Sequence, residues 1–420
     1  MALSFCALNA WAQRVEVRIE RADEIVRDPN IVEGQRLLGN VKLSVDGAVV
    51  HCDSAWRYSD GEFRMMGRVR VEDGPVELTG NSLVVHPDSG MGTMTGPEVK
   101  LVDRSDAEGI RTLLTRRTNY DFRAGMARYS GGGVVTTSNE RIESGGGWYE
   151  RDSGRMNFIG GVEMTVDTLQ VNADRMGYHP RERRLVFPVA AEVSHPSGGV
   201  NCNKGEWNLD SGGGWFLGDS LEPALFRDGD LRVEGDSLAL ADSTGIAVGS
   251  VCLQDTAQTY RLRADSARFE RLSSGEAGGV LLFGRASAWL QEEGDPLLVK
   301  GPAITIATDS AGSRSLEATQ GASLYSAEVT GAATQILWSE AISRVDLEGQ
   351  PVLWSGADQL TGDSIRLFLA DGGADRLEVR GKAFVVSPAA DGFHHQVMGR
   401  DLDGVFSDGA LEEVVIQGNG

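Results

Sequence analysis

The tetrapeptide Gly-Asp-Ser-Leu occurs twice in this chain, at Gly218-Asp219-Ser220-Leu221 and at Gly235-Asp236-Ser237-Leu238. It is a known sequence context for a serine nucleophile in ester hydrolysis, and Asp391-Gly392-Phe393-His394 supplies an Asp-x-x-His that could complete a triad. Such a serine needs a base within hydrogen-bond reach and donors for the oxyanion. Hydrolases with this motif build that site on an α/β sheet flanked by helices, and no convincing helical periodicity is visible here. The tetrapeptide also has a simpler origin, because Asp265-Ser266-Ala267 and Asp363-Ser364-Ile365 fill the same slot without the motif. Hydrolysis therefore ranks third among the functional readings, and the chain is expected not to be an enzyme.

Metal and phosphate chemistry find less support. The six histidines are scattered, and the one adjacent pair, His394-His395, would point to opposite faces of a strand. Cys52, Cys202 and Cys252 have neither an even count nor metal spacing, once Cys6 is assigned to a leader. Asp401-Leu402-Asp403-Gly404 lacks the ligand count of a calcium loop. The glycine runs at 131–133, 145–147 and 212–214 are not followed by Lys-Ser/Thr and read as turns. No cofactor or metal is expected. A formal charge of −21 argues against nucleic acid as a partner, and Arg181-Glu182-Arg183-Arg184 reads as a solvated turn.

The elements that must position any site are written by two alternating phrases. The first is a glycine followed by apolar residues at every second position, as in Gly39-Asn40-Val41-Lys42-Leu43, Gly67-Arg68-Val69-Arg70-Val71, Gly160-Gly161-Val162-Glu163-Met164, Gly284-Arg285-Ala286 and Gly381-Lys382-Ala383. This reads as a strand that begins after a turn glycine. The second is Asp or Asn, a small residue, then apolar residues two and four positions on, as in Asn81-Ser82-Leu83-Val84-Val85 and Asp174-Arg175-Met176-Gly177-Tyr178. The copy at Asp53-Ser54-Ala55-Trp56-Arg57-Tyr58 slips its aromatic by one position, which suggests a bulge. Gly39 to Gly67 and Asp53 to Asn81 are both 28 residues apart, so the unit is a two-strand repeat with two turns.

With 54 glycines, 12 prolines and 41% hydrophobic residues, the chain is expected to be folded, turn-rich and all-β. Val69, Val71, Leu83 and Val85 would share an apolar face while Arg68, Arg70 and Ser82 meet water. Residues 1–12, closing on Ala10-Trp11-Ala12, read as a secretory leader without a basic start, and no later stretch is long and apolar enough for a transmembrane helix. The expected organisation is a leader (1–12), a first β region (13–217) and a second (218–420), with a soft boundary after the glycines at 212–214.

The alternation of these two phrases, clearest from Ala22-Asp23 to about Phe187 and weaker onward to Gly420, resembles the OstA/LptA family of lipopolysaccharide-transport proteins. The resemblance implies an elongated, twisted β-jellyroll of two antiparallel sheets splayed into a V, periplasmic, with acyl chains inside and saccharide outside. It further implies partners in the same transport system, stacked edge to edge by strand pairing. The chain is longer than the minimal bridging member, lacks the C-terminal barrel of the outer-membrane member, and ends in a strand pattern at Val414-Val415-Ile416. The expected groove lining is Val41, Leu43, Val69, Val71, Leu83, Val85, Val162, Met164, Met176 and Tyr178, holding lipopolysaccharide or a similar glycolipid on its way to the outer membrane. The competing reading is a structural β-solenoid or surface protein with a dry core and no ligand.

Overall fold

The computed structural model describes residues 14–27, 34–105, 109–196, 198–219, 221–255, 260–271, 277–290, 296–370 and 372–418. The expected leader and Ser220 lie outside the described residues. Within them every regular element is a strand except the short 3-10 turns Pro180–Glu182 and Ala390–Gly392. Among the described residues the strands pair antiparallel, and the all-β expectation is borne out.

The chain forms two compact units, Met1–Pro196 with Glu206–Asp210, and Ser197–Gly205 with Ser211–Gly420. The strands of the first are β1 (Val17–Arg21), β2 (Glu24–Arg27), β3 (Gln35–Val45), β4 (Ala48–Arg57), β5 (Phe63–Asp73), β6 (Val76–His86) and β7 (Met91–Asp103). They continue as β8 (Arg111–Asp121), β9 (Met126–Thr136), β10 (Glu140–Glu150), β11 (Met156–Val166), β12 (Leu169–His179), β13 (Arg184–Phe187) and β14 (Ala191–His195). Each repeat contributes a pair of long strands, and each long strand changes register at its middle. Between β5 and β6 the shift falls between Met66 and Val69, and between β3 and β4 between Leu38 and Val41.

The glycine phrase marks that mid-point and not, as the sequence suggests, the start of a strand. Gly67 and Arg68 have φ of +77° and +44°, two consecutive left-handed residues inside β5. An extra residue in this conformation turns the strand through a corner. One half of β5, 69–73, then pairs in a first sheet with 76–79 of β6, while the other half, 63–66, pairs in a second sheet with 82–85. The same division runs through β3 to β12, so every long strand belongs to both sheets. The corners line up as a spine, the hairpins of the first sheet form one rim, and the hairpins of the second sheet form the other.

The Asp phrase meets the Gly phrase at the corner. A side chain at Gly67 would place its Cβ 2.5 Å from Asp53 Oδ2, and Arg68 donates from Nη2 to Asp53 Oδ1 at 2.7 Å. Asp23 stands in the same way against Gly39, accepting from Asn40 Nδ2 at 2.7 Å. In the second unit Asp236, Asp265 and Asp363 pack on Gly249, Gly284 and Gly381. That unit repeats the bent long strand in Thr244–Asp255, Tyr260–Arg271 and Ala277–Leu290. Further on the corner splits strands into separate halves, such as Arg314–Thr319 and Ala322–Tyr325 with left-handed Gln320 and Gly321 between them.

Several local expectations change. The glycine runs 131–133 and 145–147 lie inside β9 and β10, where Cβ atoms on Gly133 and Gly147 would strike the ring of Tyr129. A register shift does occur in β4, between His51 and Ser54, but Ala55 keeps the inward phase and Trp56 faces out beneath the Arg36 guanidinium, 5.0 Å from its ring centre. The basic cluster at 181–184 is not wholly solvated, since Arg183 and Arg184 are partly buried among Glu140, Glu182, Glu206 and Asp210. The outward face of the second unit is less polar than the alternation suggests, with Ile246, Val248, Leu281 and Phe283 exposed.

The corner geometry makes a graded prediction. Gly67→Ala adds both a left-handed penalty and a collision with Asp53, whereas Gly74→Ala, at φ +60° with open space around it, adds only the first. Urea unfolding is expected to show a loss of about 1 kcal/mol for Gly74→Ala and roughly 2–3 kcal/mol for Gly67→Ala. Equal losses would mean that the Asp53 contact does not constrain the corner.

Candidate functional site

The corner brings the predicted lining residues to the inner faces of opposite sheets. Val41, Leu43, Val69, Val71, Val162 and Met164 follow the corner in β3, β5 and β11 and belong to the first sheet. Leu83, Val85, Met176 and Tyr178 follow it in β6 and β12 and belong to the second. Val69 and Leu83 thus face the same interior from two sides and do not lie on one sheet face. All ten are at most 1% exposed, so the stripe is closed off from solvent. Leu37, Phe63, Met65, Met94, Leu101 and Phe158 extend it with further buried apolar side chains.

Sequence reasoning missed the polar groups inside this interior. Tyr120 of the second sheet donates its hydroxyl to Asp73 Oδ2, on the rim of the first sheet, at 2.5 Å. Arg151, from the next hairpin of the second sheet, reaches the same oxygen at 2.5 Å. Tyr178 donates to Glu140 Oε1 at 2.5 Å, again from second sheet to first rim, and Arg183 Nη1 lies 3.6 Å from that carboxylate. Between these bridges, Tyr149 stands beside Asp103, which is fully buried and 3.9 Å from Arg111. Tyr149 Oη and Asp103 Oδ2 close no hydrogen bond there. Burial, followed by the neighbouring carboxylate, pushes the hydroxyls of Tyr120, Tyr149 and Tyr178 well above the ordinary tyrosine range, so they stay protonated. The signal was present in the sequence: Tyr120, Tyr149 and Tyr178 recur at intervals of 29 residues.

Nearer the spine, Tyr129 shares a buried 2.6 Å hydrogen bond with Ser144, and burial raises its hydroxyl to about 12. At the other end of the interior, the Val15 N–H donates to Pro87 O at 2.8 Å and the Asp46 N–H donates to Glu16 O at 3.1 Å, with Val15 buried. The segment before β1 therefore runs from the rim of the second sheet to the rim of the first. In the second unit a small cavity of about 30 Å³ is lined by Leu297, Glu328, Leu367 and Leu369. It is large enough for about one or two waters, not for an acyl chain.

The hydrolytic alternative gains no geometry. Asp219 Oδ1 accepts the N–H groups of Leu221 and Glu222, each at 2.8 Å, so the Asp219 side chain caps a turn there, and Ser220 lies outside the described residues. Those two donors hold the Asp219 carboxyl below the usual range. In the second copy Asp236 packs on the corner glycine, and Ser237 lies in the strand Ser237–Leu240 between Leu217 and Val248. His394 and His395 are exposed on the strand His394–Ser407. Among the described residues no group of three or more His, Cys, Asp or Glu side chains is placed to hold a metal ion, and no helix is long and apolar enough to cross a membrane.

Cys52, at the corner of β4, is a native reporter of this interior. Burial and then Asp53 push its thiol up to about 12. The thiolate fraction at pH 8 is then about one in 10,000, against roughly a quarter for a free cysteine. Maleimide labelling at pH 8 is expected to leave Cys52 unmodified in the folded protein and to reach it in urea. Rapid labelling of the native chain, mapped to Cys52 by peptide mass spectrometry, would show that the interior is open to water.

Comparison with known proteins places this site in context. Residues 14–174 match the family of OstA-like proteins, which bears out the resemblance over the region that contains most of the lining residues. No curated protein matches the chain. Among solved structures the chain is similar to LptH of Pseudomonas aeruginosa, the LptA-homologous periplasmic component of a conserved lipopolysaccharide transport device. That likeness has 13% identity and a TM-score of 0.25, over 37% of this chain and 99% of that one.

Proposed function

We propose that this chain binds lipopolysaccharide or a related glycolipid in the periplasm and passes it toward the outer membrane, holding the acyl chains between the two sheets of its first unit. The observation that carries the reading is the apolar stripe on both inner faces within the stretch that matches OstA-like proteins. No catalytic group is needed. Burying a methylene gains about 0.8 kcal/mol, so ~10 methylenes of one acyl chain supply roughly 8 kcal/mol before ordering costs. An anionic head group would meet the unfavourable mean field of a chain with net charge −21. Tails inside and head outside is the arrangement consistent with both facts. Partners in the same transport system, joined through strand edges, belong to the same proposal.

The complete burial of the lining residues favours a second reading, a structural β protein with a dry core. The two readings differ in whether the sheets separate. A photocrosslinking residue at Val69 or Leu83 is expected to label acyl lipid in cells and to leave the fold intact, and glycolipid is expected to copurify from the periplasm and appear by mass spectrometry. Repeated absence of acyl lipid, together with unfolding on substitution at Val69 and Leu83, would establish the dry core.

A further inference from the structure

The mouth of the first unit, opposite the spine, is not closed by apolar contact alone. It is laced from rim to rim by Tyr120–Asp73 and Tyr178–Glu140, with Arg151 and Arg183 against the same carboxylates. Between these two closed rungs the third position is incomplete. Among the described residues Asp103 Oδ2 and Tyr149 Oη are buried without closing a hydrogen bond, while Asp103 Oδ1 accepts from the Ser105 N–H at 2.8 Å and Arg111 stands 3.9 Å from Oδ2. A buried hydrogen bond to a carboxylate holds its partners firmly, whereas unpaired buried polar atoms favour any state that lets them reach water. The same seam therefore contains two fasteners and, between them, a point that gains from opening.

We propose that Tyr120–Asp73 and Tyr178–Glu140 form a latch across the mouth of the first unit, and that the mouth parts at the Tyr149–Asp103 position to admit an apolar chain. The latch stands on the geometry alone, and only the identity of the guest rests on the proposed function. The order of events follows from the positions of the groups. Separation begins where hydration of Asp103 and Tyr149 offsets lost packing, and it spreads once the flanking tyrosines release their carboxylates. The corners stay closed throughout, because each strand crosses the spine covalently.

The test uses the whole chain, an uncharged apolar fluorophore (N-phenyl-1-naphthylamine) and amide hydrogen exchange. Tyr120→Phe/Tyr178→Phe keeps both rings and deletes both fastening hydroxyls. It is expected to raise fluorophore uptake about fivefold and to speed exchange at 69–73 and 146–150 about tenfold, with the corner segments unchanged. Tyr149→Phe, which deletes a buried hydroxyl that gains water on opening, is expected to lower fluorophore uptake and to slow exchange at 146–150 relative to the parent protein. If the double variant does not fold, each single variant carries the same expectation at smaller amplitude. Parental uptake and exchange in a folded Tyr120→Phe or Tyr178→Phe protein would overturn the latch, as would opening by Tyr149→Phe alone. Increased fluorophore uptake without copurifying glycolipid would leave the latch standing and remove the proposed lipid cargo.

Discussion

Every long strand of this protein has to turn through a corner, and that single backbone constraint organises what surrounds it. A left-handed pair such as Gly67-Arg68 adds one residue to the strand and redirects it, so one strand supplies a segment to each of two sheets. At Gly39, Gly67, Gly249, Gly284 and Gly381 the first position of the pair is glycine both for its left-handed φ and because an Asp carboxylate occupies the space a Cβ would fill. The second position tolerates Asn, Arg or Lys because each can donate to that carboxylate. Exposed ion pairs of this kind add little stability by themselves. Their contribution is to hold a strained conformation in one geometry, and the aspartate and glycine phrases are the two halves of that device.

The corner also dictates where polar groups can enter the interior. With the spine closed by continuous backbone, the seam between the sheets that the described residues show runs along the rims, where hairpins from both sheets approach each other. The buried tyrosines sit there, long enough to cross the interior and able to end in a hydrogen bond. Carboxylates so deeply placed would be costly if unpaired, and hydroxyl and guanidinium donors reduce that cost. The seam is therefore a mixture of satisfied and unsatisfied groups inside an otherwise apolar shell, the one part of the interior whose closure depends on a few bonds.

A closed apolar interior and a lipid-carrying one are compatible if the sheets move about the spine. The buried stripe gives an acyl chain the same contacts that the two inner faces now give each other, so the exchange replaces apolar contact with apolar contact. Opening then depends chiefly on the rim bonds and on the short segment around Val15 that crosses between the rims. Asp219, which caps a turn, and Ser237, which enters a strand, take no part in this.

Alternation, turn glycines and a 28-residue period were enough to establish an all-β repeat, to separate inward Val, Leu and Met from outward Arg and Ser, and to reduce the esterase-like tetrapeptide to repeat grammar. These properties are legible because they depend on neighbours two residues away. The place of the glycine within its strand, the separation of Val69 and Leu83 into facing sheets, and the pairing of Asp53 with Gly67 were not legible, since they depend on how a strand is bent. The bridge from Tyr178 to Glu140 was hidden for the same reason. A tyrosine in an apolar phase reads as lining until the rim of the opposite sheet is seen to place a carboxylate within 2.5 Å of its hydroxyl. Periodicity along the chain determines which side of a strand is buried; only the folded corner decides what it is buried against.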